Sequence, residues 1–177
     1  MFVPDKVQLV NAPFERCFMH RPERQTAVSA EKAGPLMETT DYPGPFPDRV
    51  QGRSKVSLGE AFGLTNLGVN LTRLKPGAQS ALRHFHTAQD EFIFVLEGDA
   101  VLLTDAGETA MTAGMCAGFK AGTGNGHRLI NETQEEVIYL EVGDRTPGDE
   151  GSYPDDDLKA LMVDGKWKFV HKDGSLY

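Results

Sequence analysis

The sequence predicts an all-β sandwich or barrel, and three observations predict it. From Lys55 to Gly143, short segments alternating apolar and polar residues recur, separated by glycine. No ten-residue stretch of that region keeps helical periodicity, which argues against βαβ units. Proline, which disfavours helices and central strands, is gathered ahead of it: seven of ten lie at or before Pro47.

The elements follow in chain order. Residues 1–55, with the run Tyr42-Pro-Gly-Pro-Phe-Pro-Asp48, read as an extended arm that wraps the core or a partner subunit, with a short strand at Val7 to Val10. Residues 56–143 read as the barrel, with strands expected at 67–74, 84–86, 91–96, 100–104, 109–112, 114–119, 127–131 and 137–142. Residues 144–177 read as a tail packing on the barrel. In it 144–151 is loop, and 155–162 makes one or two helical turns behind the acidic start Asp155-Asp-Asp157. The aspartates cap that helix and are not a cation site, because no calcium-loop spacing is present. Asp164-Gly165 is a tight turn feeding a strand over 166–170.

The stretch from Gly77 to Gly98 carries the most chemistry. Side chains alternate across a strand, so His84 and His86 share one face and Phe85 takes the other. Glu91 opens the next strand; if it faces inward, Ile93 and Val95 join it and Phe92, Phe94 and Leu96 face out. A further histidine, His127, follows the turn Gly122-Thr-Gly-Asn-Gly126. Three imidazoles and a carboxylate suit divalent iron, manganese, nickel, copper or zinc. Four protein ligands leave two positions open on an octahedral ion, whereas a four-coordinate zinc would be closed. The glycine-rich turn leads into a strand, not a helix, so it is read as a β-turn beside the pocket and not as a phosphate loop.

These residues resemble the cupin superfamily. The first cupin motif is matched from His84 through Gly98, with six residues instead of five between Gly77 and His84. The second, from Gly114 to Asn131, is looser: Lys120 replaces a proline and four residues, not two, separate Gly122 from His127. The resemblance covers about residues 56 to 143. A narrower one, carried by RHFHTAQDEFIFVLEG, GFKAGTGNGHRLIN and GKWKFVHKDGSLY, is to small bacterial single-domain cupins and brings no activity with it. The family implies a double-stranded β-helix and a metal held by His84, His86, Glu91 and His127. It also implies dioxygenase, isomerase or lyase chemistry on a small polar organic molecule, or alternatively a non-catalytic binder or sensor. No catalytic residue beyond the ligands is assigned. Asn70, Arg73, Arg83 and Arg128 could line or flank the pocket, although Arg83 and Arg128 have the outward parity.

Composition excludes other classes. Eighteen basic against twenty-six acidic residues give a net charge of -8, which opposes binding to nucleic acid or acidic membranes. No apolar run approaches the ~20 residues that span a bilayer, and no signal peptide opens the chain, so a soluble cytoplasmic protein is expected. Cys17 and Cys116 are too far apart for a metal pair; Cys116 reads as a small buried hydrophobe. His20 and His171 lie outside both motifs and read as surface residues. A homodimer is expected, with the arm covering a sheet edge.

Overall fold

Alternation along β4 (Glu91–Glu97) sets the pattern of the barrel: Ile93 and Val95 are buried while Phe92 and Leu96 stay about two-fifths exposed. This places Glu91 on the inward face with the core residues. The computed structural model describes residues 26–163 and 165–177; the strand expected at Val7 to Val10, Cys17 and His20 lie outside them.

Twelve strands form among the described residues, in three antiparallel sheets. The largest runs β1 (Arg53–Ser57), β2 (Leu67–Leu74), β9 (Val137–Asp144), β4 and β7 (Cys116–Phe119). A second runs β12 (Lys166–Val170), β11 (Leu158–Val163), β10 (Glu150–Tyr153) and β3 (Phe85–His86). The third sets β5 (Asp99–Thr104) between β6 (Gly107–Thr112) and β8 (Arg128–Ile130). The architecture is the jelly-roll double-stranded β-helix. Gly98 turns β4 into β5 at φ +79°, where a Cβ would stand 2.6 Å from the Glu136 carbonyl oxygen, so glycine is required there.

Two apolar clusters hold the sheets together. One gathers Leu74, Ile93, Val95, Leu129, Val137 and Tyr139, with Phe119 packed against it. The other joins Phe46 and Val50 of the arm to Leu82, Tyr153, Leu158 and Ala160, with Tyr42, Trp167 and Phe169 alongside. The arm also bridges the edge of the large sheet in cis: Met37 and Lys55 exchange both backbone hydrogen bonds at 2.9 Å.

Three expectations are corrected. Residues 158–163 form strand β11 and not a helix, paired on both sides with β10 and β12. Strand alternation buries Leu158 and Ala160, and burial of one leucine contributes about 1.5–3 kcal/mol, more than the few tenths per residue that helix propensity offers. The aspartates accordingly cap no helix: Asp155 pairs with Arg83, Asp156 with Arg49, and Asp157 with His171 and the Lys172 amide. Next, β10 begins inside the segment read as loop. Finally, Cys116 is exposed, because Ala117 and Phe119 take the inward positions of β7 and leave Cys116 on the outer face.

The motif asparagine is structural. Asn131 is fully buried; its Nδ2 donates to the carbonyls of Leu74 at 2.9 Å and Glu135 at 2.7 Å, and its Oδ1 accepts from the Thr133 amide and hydroxyl. Asn131→Ala strands these groups without partners, and at about 1–3 kcal/mol for each buried orphan the loss should reach about 2–4 kcal/mol in urea unfolding. An unchanged midpoint would contradict this role.

Candidate metal centre

The site is assembled from three places in the chain. β3 carries His86, and the bridge between His84 and His127 lies immediately before it, with His84 N–H donating to the His127 carbonyl and the reverse bond at 2.8 Å. β4 supplies Glu91 from the neighbouring sheet. The turn before His127 closes against β3 through the Gly122 amide, which donates to the His86 carbonyl at 2.9 Å, so the longer glycine loop still delivers His127 to the group.

Glu91 Oε2 is the point of convergence. His127 Nε2 lies 3.1 Å from it, His86 Nε2 3.5 Å and His84 Nε2 3.7 Å. The ligand atoms of His84, His86 and Glu91 all fall within 4.8 Å of one another, a spacing that could hold a metal ion. His127 stands outside that mutually close trio but against the same oxygen. Glu91 Oε2 is buried and has no aligned hydrogen bond.

Hydrogen bonds on the far ring nitrogens fix two of the imidazoles. His84 Nδ1 donates to the Leu82 carbonyl at 2.8 Å, and His86 Nδ1 donates to Asp149 at 2.5 Å. A carbonyl can only accept, so His84 carries its proton on Nδ1 and presents the Nε2 lone pair to Glu91. Burial, reinforced by the neighbouring imidazoles against the attraction of Glu91, pushes His84 down to about 4, which keeps it neutral near pH 7. Burial would raise the Glu91 carboxyl, but contact with His127 and the surrounding imidazoles outweighs it and holds it at about 2. The lone pair of His84 Nε2 therefore faces Glu91 Oε2 at 3.7 Å in a buried setting. A cation among these acceptors would satisfy both, so the residues fit a divalent metal.

Aromatic rings pack the group in place. Phe119 stacks on His127 with centroids 3.5 Å apart, Tyr153 stacks on His84, and Trp167 leans against His86. Asp149 is wholly buried and also accepts from the Ala88 amide at 2.8 Å and the Gln89 amide at 3.2 Å, so its grip on His86 is itself anchored. Asp149 and Tyr153 carry no motif signal in the sequence, and Trp167 lies in the tail phrase GKWKFVHKDGSLY, to which no role is attached. They arrive through the pairing of β10 with β3 and of β12 with β11.

The four arginine and asparagine candidates separate. Arg83 turns outward to Asp105 and Asp155, and Arg73 to Glu136 and Glu31. Arg128 alternates with buried Leu129 and so takes the outward parity. Asn70 remains on the inward face, bonded to Glu141. His171 pairs with Asp157, apart from the group. No helix among the described residues is long and apolar enough to cross a membrane.

Residues 70–143 match the family model of the cupin domain. Among solved structures, a sugar phosphate isomerase of the cupin superfamily from Silicibacter pomeroyi is similar with TM-score 0.81 and 42% identity, over 85% of this chain and 96% of its own. A candidate sugar phosphate isomerase from Acidithiobacillus ferrooxidans is similar with TM-score 0.64 and 28% identity, over 68% of this chain and 77% of its own. The polyketide cyclase RemF from Streptomyces resistomycificus shares the fold alone, with TM-score 0.58 and 18% identity over 71% of this chain and 83% of its own. No curated protein matches the chain significantly.

Proposed function

The chain belongs to the cupin superfamily, and from that premise we propose a metal-dependent isomerase of small phosphorylated sugars, with His84, His86, Glu91 and His127 as the ligands. The observation that carries the metal is the convergence of three imidazole nitrogens on the buried Glu91 Oε2, at 3.1, 3.5 and 3.7 Å. The substrate class is supported by the 42% identity, across 96% of its length, to a protein described as a sugar phosphate isomerase.

A bound divalent cation would supply a Lewis acid for a carbonyl or hydroxyl oxygen of the substrate. The chain's own residues do the remaining work. Leu82 and Asp149 hold the His84 and His86 rings in the tautomer that turns Nε2 inward. Phe119, Tyr153 and Trp167 wall the group with rings, lower the local dielectric and limit water around it. Glu91 remains ionised across the neutral range.

The test is interconversion of aldose and ketose phosphates by metal-loaded protein, followed by proton NMR and repeated after chelation. Turnover that disappears with the metal and returns on reconstitution supports the reading. Metal-loaded protein that binds such phosphates, raising its thermal midpoint, yet never interconverts them would replace it with a binding role.

A further inference from the structure

A second carboxylate faces the interior of the barrel beside the metal centre. In the register of β4 with β9, Glu91 stands opposite Gly143 and Ile93 opposite Glu141. Paired residues project to the same face, and Tyr139, two positions before Glu141, lies in the core with Val95. Glu141 therefore shares the inward face with Glu91 as its diagonal neighbour, a separation of about 7–8 Å between strand positions. The inward position beyond Glu141 is Gly143, which has no side chain to stand between the two carboxylates.

Glu141 is held by one oxygen. Asn70 Nδ2 donates to Oε1 at 3.1 Å, and Lys55 Nζ approaches the same Oε1 at 3.5 Å. Asn70 is itself oriented by the Ser57 hydroxyl, which donates to its Oδ1 at 3.2 Å. Among the described residues nothing bonds Oε2, and the side chain is 24% exposed. Here one oxygen is fixed and the other is free, on the wall next to the metal group. Tyr139 lies within the field of both carboxylates: its hydroxyl is held well above the usual phenol range by burial first, then by Glu141, and further by Glu91.

We propose that Glu141 is a catalytic residue of this site, its free Oε2 taking and returning the carbon-bound proton during isomerisation. The inference rests on the isomerase reading above. In the first step Oε2 takes the proton from the hydroxyl-bearing carbon next to the carbonyl. The C–H electron pair becomes the new C=C bond, and the carbonyl π pair moves to its oxygen, which takes a proton from solvent. Between the steps the proton on Oε2 exchanges with solvent, and in the second step Oε2 delivers a proton to the former carbonyl carbon. The other enediol oxygen then releases its proton to solvent and closes the new carbonyl. No oxidant or reductant is consumed. The anchoring of Oε1 by Asn70 and Lys55 keeps Oε2 aimed at the substrate through both steps.

The test compares wild type, Glu141→Gln and Glu141→Asp, each loaded with manganese and matched for metal content and thermal midpoint. They are incubated with D-fructose 6-phosphate or D-ribulose 5-phosphate in D2O and followed by proton NMR for deuterium uptake beside the carbonyl and for aldose formation. Wild type should do both; Glu141→Gln should lose both by about 100-fold or more, the range of a removed general base, and Glu141→Asp should recover part. The proposal is overturned if Glu141→Gln stays within about threefold of wild type, less than the ~10²-fold floor for such a group. It is also overturned if wild type isomerises with full retention of the transferred hydrogen, or if metal-loaded wild type neither exchanges nor isomerises. Failure of the metal reading shows earlier and separately, as a wild type that holds no metal before any sugar is added.

Discussion

His86→Ala is expected to abolish metal binding and to lower sugar phosphate turnover at least about 10³-fold, the equivalent of about 4 kcal/mol of lost transition-state stabilisation. His86 connects two parts of the site: its Nε2 faces Glu91 at 3.5 Å, and its Nδ1 is bonded to Asp149. Alanine removes a ligand and leaves a buried carboxylate with an open bond, so both metal content and turnover should fall. Elemental mass spectrometry and the NMR assay on the same preparation check this, with circular dichroism reporting the fold. A variant that turns over without metal would sink the metal-dependent reading.

Asp149→Asn should leave the barrel folded and reduce metal affinity by about 10–100-fold, as removal of a carboxylate behind a ligating histidine typically does. Asparagine nearly matches the shape, and its side-chain oxygen can still accept from the Ala88 and Gln89 amides that now bond Oδ1. It places an amide where Oδ2 accepts from His86 Nδ1, however. An NH2 facing Nδ1–H repels it and favours the other tautomer, which puts the proton on the nitrogen that should face the cation. Competition titration with a chromophoric chelator measures the change. Equal affinity in the two proteins would mean that Asp149 only braces the loop at 87–89.

What the sequence reveals of this site depends on the range of the signal. His84, His86 and Glu91 are legible because strand alternation is local: two residues of spacing suffice to put side chains on one face, and one turn brings in the next strand. Asp149 is invisible by the same reasoning, lying 63 residues from His86 and reaching it only through the register of Gly151 opposite His86. Glu141 likewise looks like any residue of an alternating strand until the pairing of β4 with β9 sets it diagonal to Glu91. The segment at 155–162 shows the limit from the other side. Three aspartates ahead of Leu158, Leu161 and Met162 imitate a capped amphipathic helix, and strand pairing on both flanks decides against it. Cys116 fails through parity alone: a shift of one residue moves a side chain from core to surface.

The most direct test of the account is the metal content of freshly purified, untagged protein, measured by elemental mass spectrometry beside a His84→Ala, His127→Ala double variant. The account predicts about one divalent transition-metal ion per chain in the wild type, held through the ligand set His84, His86, Glu91 and His127, and essentially none in the variant. Wild-type protein that holds no metal even after reconstitution, or a variant that binds as much as the wild type, would contradict it.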